Sequence, residues 1–156
     1  MPADPLLLGI HRAAHFEWRR AALRFARGAS PLEIVLAYWE EVGLDTGKAF
    51  LRRIDRSRPI GPQIAALASQ SSLAMGEDAR VVDDGGVPGV RHAACPWREW
   101  HERNGCLEED RPGCDRWWQT LTRVVSEGTG RKIRCERVAA LPDGDDHCLV
   151  RFLCED

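Results

Sequence analysis

Apolar side chains at Leu7, Ile10, Ala14, Trp18, Ala21 and Phe25 recur at helical spacing and predict an amphipathic helix over about residues 6–27. Asp4-Pro5 supplies an N-cap and a first-turn proline, and Gly28 is placed to end the helix. Ser30-Pro31-Leu32-Glu33 is a capping box, in which hydroxyl and carboxylate each satisfy a backbone amide. Behind it Leu32, Val35, Trp39, Val42, Phe50 and Ile54 continue a helical stripe, with a break or kink expected near Leu44 because Gly43 and Gly47 lie inside it. Arg58-Pro59 closes that element, and a third helix opens at Gly61-Pro62, carrying Ile64, Leu67, Ala68 and Met75 on one side with Gly76 after it.

From residue 79 the period changes. Ala79–Val82 and Val90–Ala94 are short β-type runs around the turn sequence Asp83-Asp84-Gly85-Gly86. A short helix follows from Pro96 to about Arg103, ended by Asn104-Gly105. Another begins near Pro112 or Gly113, with Trp117, Leu121, Val124 and Val125 on one face and Gly128 at its end. Lys132–Leu141 and His147–Cys154 predict a closing hairpin, with Cys148, Val150, Phe152 and Cys154 on the face turned to the helices. The expected fold class is α+β: N-terminal helices, then an antiparallel sheet with two interspersed helices and a C-terminal β-hairpin. A chain of 156 residues fits one domain, with a helical part over about 5–78 and a cysteine-rich α+β part over about 79–156.

Composition narrows the partners. With 22 basic and 24 acidic side chains there is no field to attract nucleic acid or an anionic membrane. No run approaches the ~20 apolar residues of a membrane span, and the N-terminus lacks a basic signal region. The expectation is a cytoplasmic protein whose cysteines are thiols. Their positions, 95, 106, 114, 135, 148 and 154, contain no Cys-x-x-Cys pair, which argues against a zinc ribbon or a thioredoxin-like redox site.

Cys95 precedes a helix-start proline, where the helix dipole favours thiolate; the plainer reading is a small buried hydrophobe. Cys114-Asp115 also falls near a helix start, so Asp115 serves either as a base or as a cap. Trp117-Trp118 cannot both point inward from one helix, so one should face a groove, a loop or a second subunit, leaving room for a homo-oligomer. Arg134, Arg137 and Arg151 are candidates for a substrate carboxylate, or are solvated strand arginines. His11 and His15, four apart, have metal-ligand spacing without an identifiable third ligand.

In order, a strand running into Cys95-Pro96-Trp97, then Cys106 and Cys114-Asp115, then Arg137 through Gly144-Asp145-Asp146-His147-Cys148-Leu149-Val150-Arg151-Phe152, resemble the L-2-amino-thiazoline-4-carboxylic acid hydrolase family. The resemblance covers mainly Val90 to Phe152. It implies opening of a small thiazoline-like ring: water adds at the carbon between nitrogen and sulfur, the carbon–sulfur bond breaks, and an N-carbamoyl cysteine results. On that reading Cys95, Cys114 and Cys148 supply a nucleophile and Asp115 the base, while Trp97, Trp118, Arg137, His147 and Arg151 bind substrate. The hairpin is also similar to the 4-vinyl reductase type of ligand-binding domain, in which cysteines and a glutamate hold zinc beside an apolar pocket. Here Cys114, Glu136 and Cys148 would be the ligands, and Ala139 and Ala140 stand where a further cysteine belongs, so no cofactor is favoured and zinc is the one that the resemblance admits. The alternative to an enzyme is a non-catalytic domain that binds or senses a small molecule.

Overall fold

A computed structural model describes residues 4–155. Three helices, α1 (Pro5–Phe25), α2 (Pro31–Leu51) and α3 (Ile60–Ala74), precede strands β1 (Asp78–Asp84) and β2 (Val87–Ala94). The short α4 (Pro96–Arg103), a 3-10 turn at Leu107–Glu109 and the long α5 (Asp110–Thr129) cross over to β3 (Lys132–Ala139) and β4 (Cys148–Glu155). The four strands form one antiparallel sheet in the order β1-β2-β4-β3. The α+β class and the closing hairpin are as expected from sequence.

The local signals act as their chemistry requires. Asp4 accepts from Leu6 N at 2.8 Å, and Ser30 and Glu33 close a reciprocal capping box. Gly85 and Gly86, with φ of 65° and 87°, make the two-residue turn between β1 and β2, whose mirror-image geometry matches strand twist.

α3 and α5 lie on one face of the sheet, and α2 packs on α5 from outside. The core between sheet and helices holds Ile64, Val90, Trp118, Leu121, Val150 and Phe152. Here two glycines have a different duty from the one expected. α2 runs unbroken through Gly43 and Gly47, because both are buried contact points with α5: an added Cβ would come within 2.7 Å of Thr120 Cβ or Val124 Cβ. They permit close helix approach instead of breaking the helix. Gly128 likewise lies inside α5 against Leu51, and the helix ends at Gly130 with φ of 70°.

α5 begins at Asp110, earlier than expected, so Cys114 and Asp115 sit beyond its first turn, where the dipole's effect has fallen off. In β4, Val150 and Phe152 face the core as expected, while Cys154 is exposed at the strand end. Cys135 opposes Phe152, and Ile133 opposes Cys154.

The largest departure is α1. Its predicted apolar stripe, from Leu7 to Phe25, lies on the exposed side, with Trp18 resting part of its ring on Tyr38 of α2 (centroids 4.9 Å apart), and the buried side is made by Arg12, His15 and Phe16.

Candidate functional site

Between α2, the C-terminal end of α3, β2 and the first turns of α5 lies a cavity of about 430 Å³. Three loci of the sequence reading meet there: Cys95 at the end of β2, Cys114 on α5 and Cys148 at the start of β4 all line it. Trp97, Trp118 and Arg137 line it too. Aromatic rings form much of the wall, with Trp117 and Trp118 centroids 4.5 Å apart. The two differ as expected of neighbours on one helix: Trp118 is buried in the core, and half-buried Trp117 faces the cavity. Trp117 Nε1 donates to Thr46 Oγ1 of α2 at 3.2 Å, and Trp118 is buried against Phe152.

The polar groups of the wall are few. Ser72 Oγ lies 2.9 Å from His92 Nε2, and Glu77 Oε2 lies 3.2 Å from that same nitrogen. Because serine and carboxylate converge on one ring nitrogen, the imidazole cannot relay a proton between them as in a hydrolytic triad, which uses both nitrogens. Glu77 also accepts from Trp97 Nε1 at 3.2 Å. Asp110 faces the cavity from the start of α5, with His101 Nδ1 3.2 Å away.

Sequence reasoning missed Glu77, His92 and Asp110. His92 was accessible to it: in β2 the alternation that buries Val90 buries His92 two residues later. Glu77, directly after the helix-ending Gly76, and Asp110 carry no comparable local signal.

The thiols are protonated groups. Burial, with Glu77 alongside, pushes Cys95 up, and its place at the N-cap of α4 does not offset this. Burial pushes Cys114 up to about 12 against the pull of Arg137. Cys114 keeps some accessible surface, and that surface faces the cavity. Burial raises Cys148 as well, although Leu141 N donates to its sulfur at 3.2 Å.

Other sequence candidates lie elsewhere. Asp115 is not in the cavity wall; it binds Arg137 Nε from behind and Arg111 at 3.6 Å, which makes it a brace for the arginine. His147 pairs with its neighbour Asp146 outside the cavity. Arg151 lies across the sheet from Glu136, its partner in register, and binds Glu136 at 2.7 Å and Asp84 at 3.1 Å. Alternation along β3 sends Arg137 to the helix side and Glu136 to the other, so Glu136 cannot join Cys114 and Cys148 on one metal ion. Among the described residues no group of three His, Cys, Asp or Glu side chains is disposed to hold a metal. His15 is likewise no metal ligand in its setting, being packed among Phe16, Tyr38 and Trp39. No helix of the described residues is long and apolar enough to cross a membrane.

Fold and site together define an α+β domain with a partly open, mainly apolar cavity. The chain has the fold of trafficking protein particle complex subunit 3 from Naegleria fowleri, a structure described as covalently bound to palmitic acid, with a TM-score of 0.62 at 13% identity over 98% of both chains. A second solved structure, an H-NOX protein from S. oneidensis in an Fe(II)NO state, gives a TM-score of 0.47 at 12% identity, covering 88% of this chain and 72% of that one. No family model and no curated protein sequence matches the chain.

Proposed function

We propose that the protein is a small-molecule-binding domain whose cavity takes a compact, mainly apolar ligand with one polar end. The observation that carries this reading is the cavity itself, whose volume of about 430 Å³ lies within the roughly 300–1,000 Å³ of small-ligand sites and whose wall is mostly apolar, with Tyr38, Trp39, Trp97, Trp117 and Trp118 in it. Arg137, Glu77 and Asp110 give that wall a few fixed polar points, and such groups set orientation. The Naegleria fowleri subunit, which shares the fold, is described with a fatty acid bound, and this supports an apolar occupant.

Tryptophan fluorescence tests it, since Trp39, Trp97, Trp117 and Trp118 line the cavity. Titration with medium-chain and long-chain fatty acids and their alcohols should give saturable 1:1 quenching, weakened by a cavity-filling Val42→Trp variant. Native mass spectrometry of freshly purified protein should show a retained small molecule. Absence of quenching, thermal shift and retained mass together would remove this reading.

The second reading is hydrolysis of a thiazoline-like ring, which rests on the resemblance over Val90–Phe152 and on cavity carboxylates. The protonated thiols and the engagement of Asp115 by Arg137 count against a cysteine nucleophile with Asp115 as base. Glu77 or Asp110 is the better base for a water molecule, because both face the cavity. Incubation of the reduced protein with L-2-amino-thiazoline-4-carboxylate, with chromatography for N-carbamoyl cysteine, decides it: turnover abolished by Glu77→Gln or Asp110→Asn is expected, and no product removes the reaction.

A further inference from the structure

The outward face of α1 contradicts the usual rule for a helix on a globular domain, in which the apolar stripe faces the core. Leu7, Ile10, Ala14, Trp18, Ala21 and Phe25 form one stripe along the 21-residue helix, and all six are exposed. Phe25 is 83% exposed and Leu7 63%.

The orientation is held by polar anchors on the opposite side. Arg12 donates to the Met75 carbonyl, Arg19 Nε donates to buried Glu109 at 2.6 Å, and Arg20 reaches Asn104 at 3.1 Å. Rolling the helix to bury its stripe would break all three and expose the Glu109 carboxylate's partner to water.

We infer that α1 is the interface of a symmetric dimer, in which the stripe packs antiparallel against the same stripe of a second copy. The pattern is self-complementary in that orientation. With the two-fold axis near Phe16 and Glu17, Trp18 of one copy meets Ala14 of the other, Phe25 meets Leu7, and Ile10 falls beside Ala21. Each large side chain is set against a small or matching one, and each contact is made twice, as an isologous interface requires. The small residues at 14 and 21 let two backbones approach. The exposed parts of Leu6, Leu7, Ile10, Trp18 and Phe25 offer on the order of 700 Å², close to the roughly 800 Å² per partner of a standard stable interface.

A lipid surface is the competing occupant and fits less well. Helices that lie on membranes carry basic side chains beside the apolar face, whereas two of the arginines of α1, Arg12 and Arg19, are turned inward and bound.

Sedimentation velocity of the full chain over about 1–100 μM should give twice the 17.5 kDa chain mass. Trp18→Glu should weaken self-association by about 100-fold or more, the size of effect expected at a central aromatic anchor. Circular dichroism should show the same helix content for that variant. Ala14→Trp and Trp18→Ala should each weaken the dimer, and the double swap should restore it, because it exchanges knob and hole across the axis. A monomeric wild-type protein overturns the proposal. So does a dimer indifferent to Trp18→Glu, or a double swap no better than the single changes. Co-sedimentation of wild-type monomer with phosphatidylcholine–phosphatidylglycerol vesicles would assign the stripe to lipid instead.

Discussion

Arg137 Nη2 lies 3.2 Å from Cys114 Sγ, with Asp115 bound to Nε of the same guanidinium. The two residues after Gly113 thus split their tasks: the thiol meets the cavity, and the carboxylate braces the arginine from outside it.

Because Arg137 does not overcome the effect of burial, Cys114 stays protonated through the neutral range. With its pKa pushed up to about 12, only about one thiol in 100,000 is thiolate at pH 7. Iodoacetamide labelling followed by peptide mass spectrometry should therefore show Cys114 reacting far more slowly than an unfolded control at pH 7.5, with no plateau below pH 9. Fast labelling at neutral pH would contradict the assignment.

The same shift has a consequence for stability. A thiol whose folded pKa lies above the unfolded value of 9.0 supports the fold fully below pH 9 and loses that support as pH rises toward about 12. The urea midpoint should fall across that window, and less so in Cys114→Ser.

His15 runs the other way. Burial first, then His101, His11 and Arg19, hold its pKa down at about 4 from 6.5, so the neutral ring belongs to the folded state. Its contribution is present above pH 6.5 and is lost as pH falls to about 4, an effect of up to roughly 3 kcal/mol. Neither ring nitrogen has a hydrogen-bond partner, so His15→Leu should keep the fold. It should also flatten the acid limb of a Tm-against-pH curve.

Gly47→Ala should cost about 1–3 kcal/mol, because the new methyl would meet Val124 Cβ at 2.7 Å on a packed helix pair. Chemical denaturation checks this, and Val124→Ala in the same chain should recover part of the loss.

Arg19→Met leaves the Glu109 carboxylate, 2% exposed, without its partner, and should destabilise by roughly 3–5 kcal/mol. Replacing both residues by Met should cost less than Arg19→Met alone, since the stranded charge is then gone. A double-mutant cycle by urea unfolding measures the difference.

The sequence by itself determined the elements and the class. Helix caps at Asp4 and Ser30, the Gly85-Gly86 turn and the alternation of Val150 and Phe152 are local matters of hydrogen bonding and side-chain period, and all appear as expected. It also marked Cys95, Cys114, Cys148, Trp97, Trp118 and Arg137, which do share one cavity. What only tertiary structure decided is which way each element faces. The face of α1 follows from distant partners, Met75 and Glu109, that no helical period encodes. Placement of Arg151 and Glu136 on the far side of the sheet follows from strand register, and the glycines of α2 from the approach of α5. The protonation of the thiols was decided the same way, because burial outweighs the local helix dipole once the chain has closed around them.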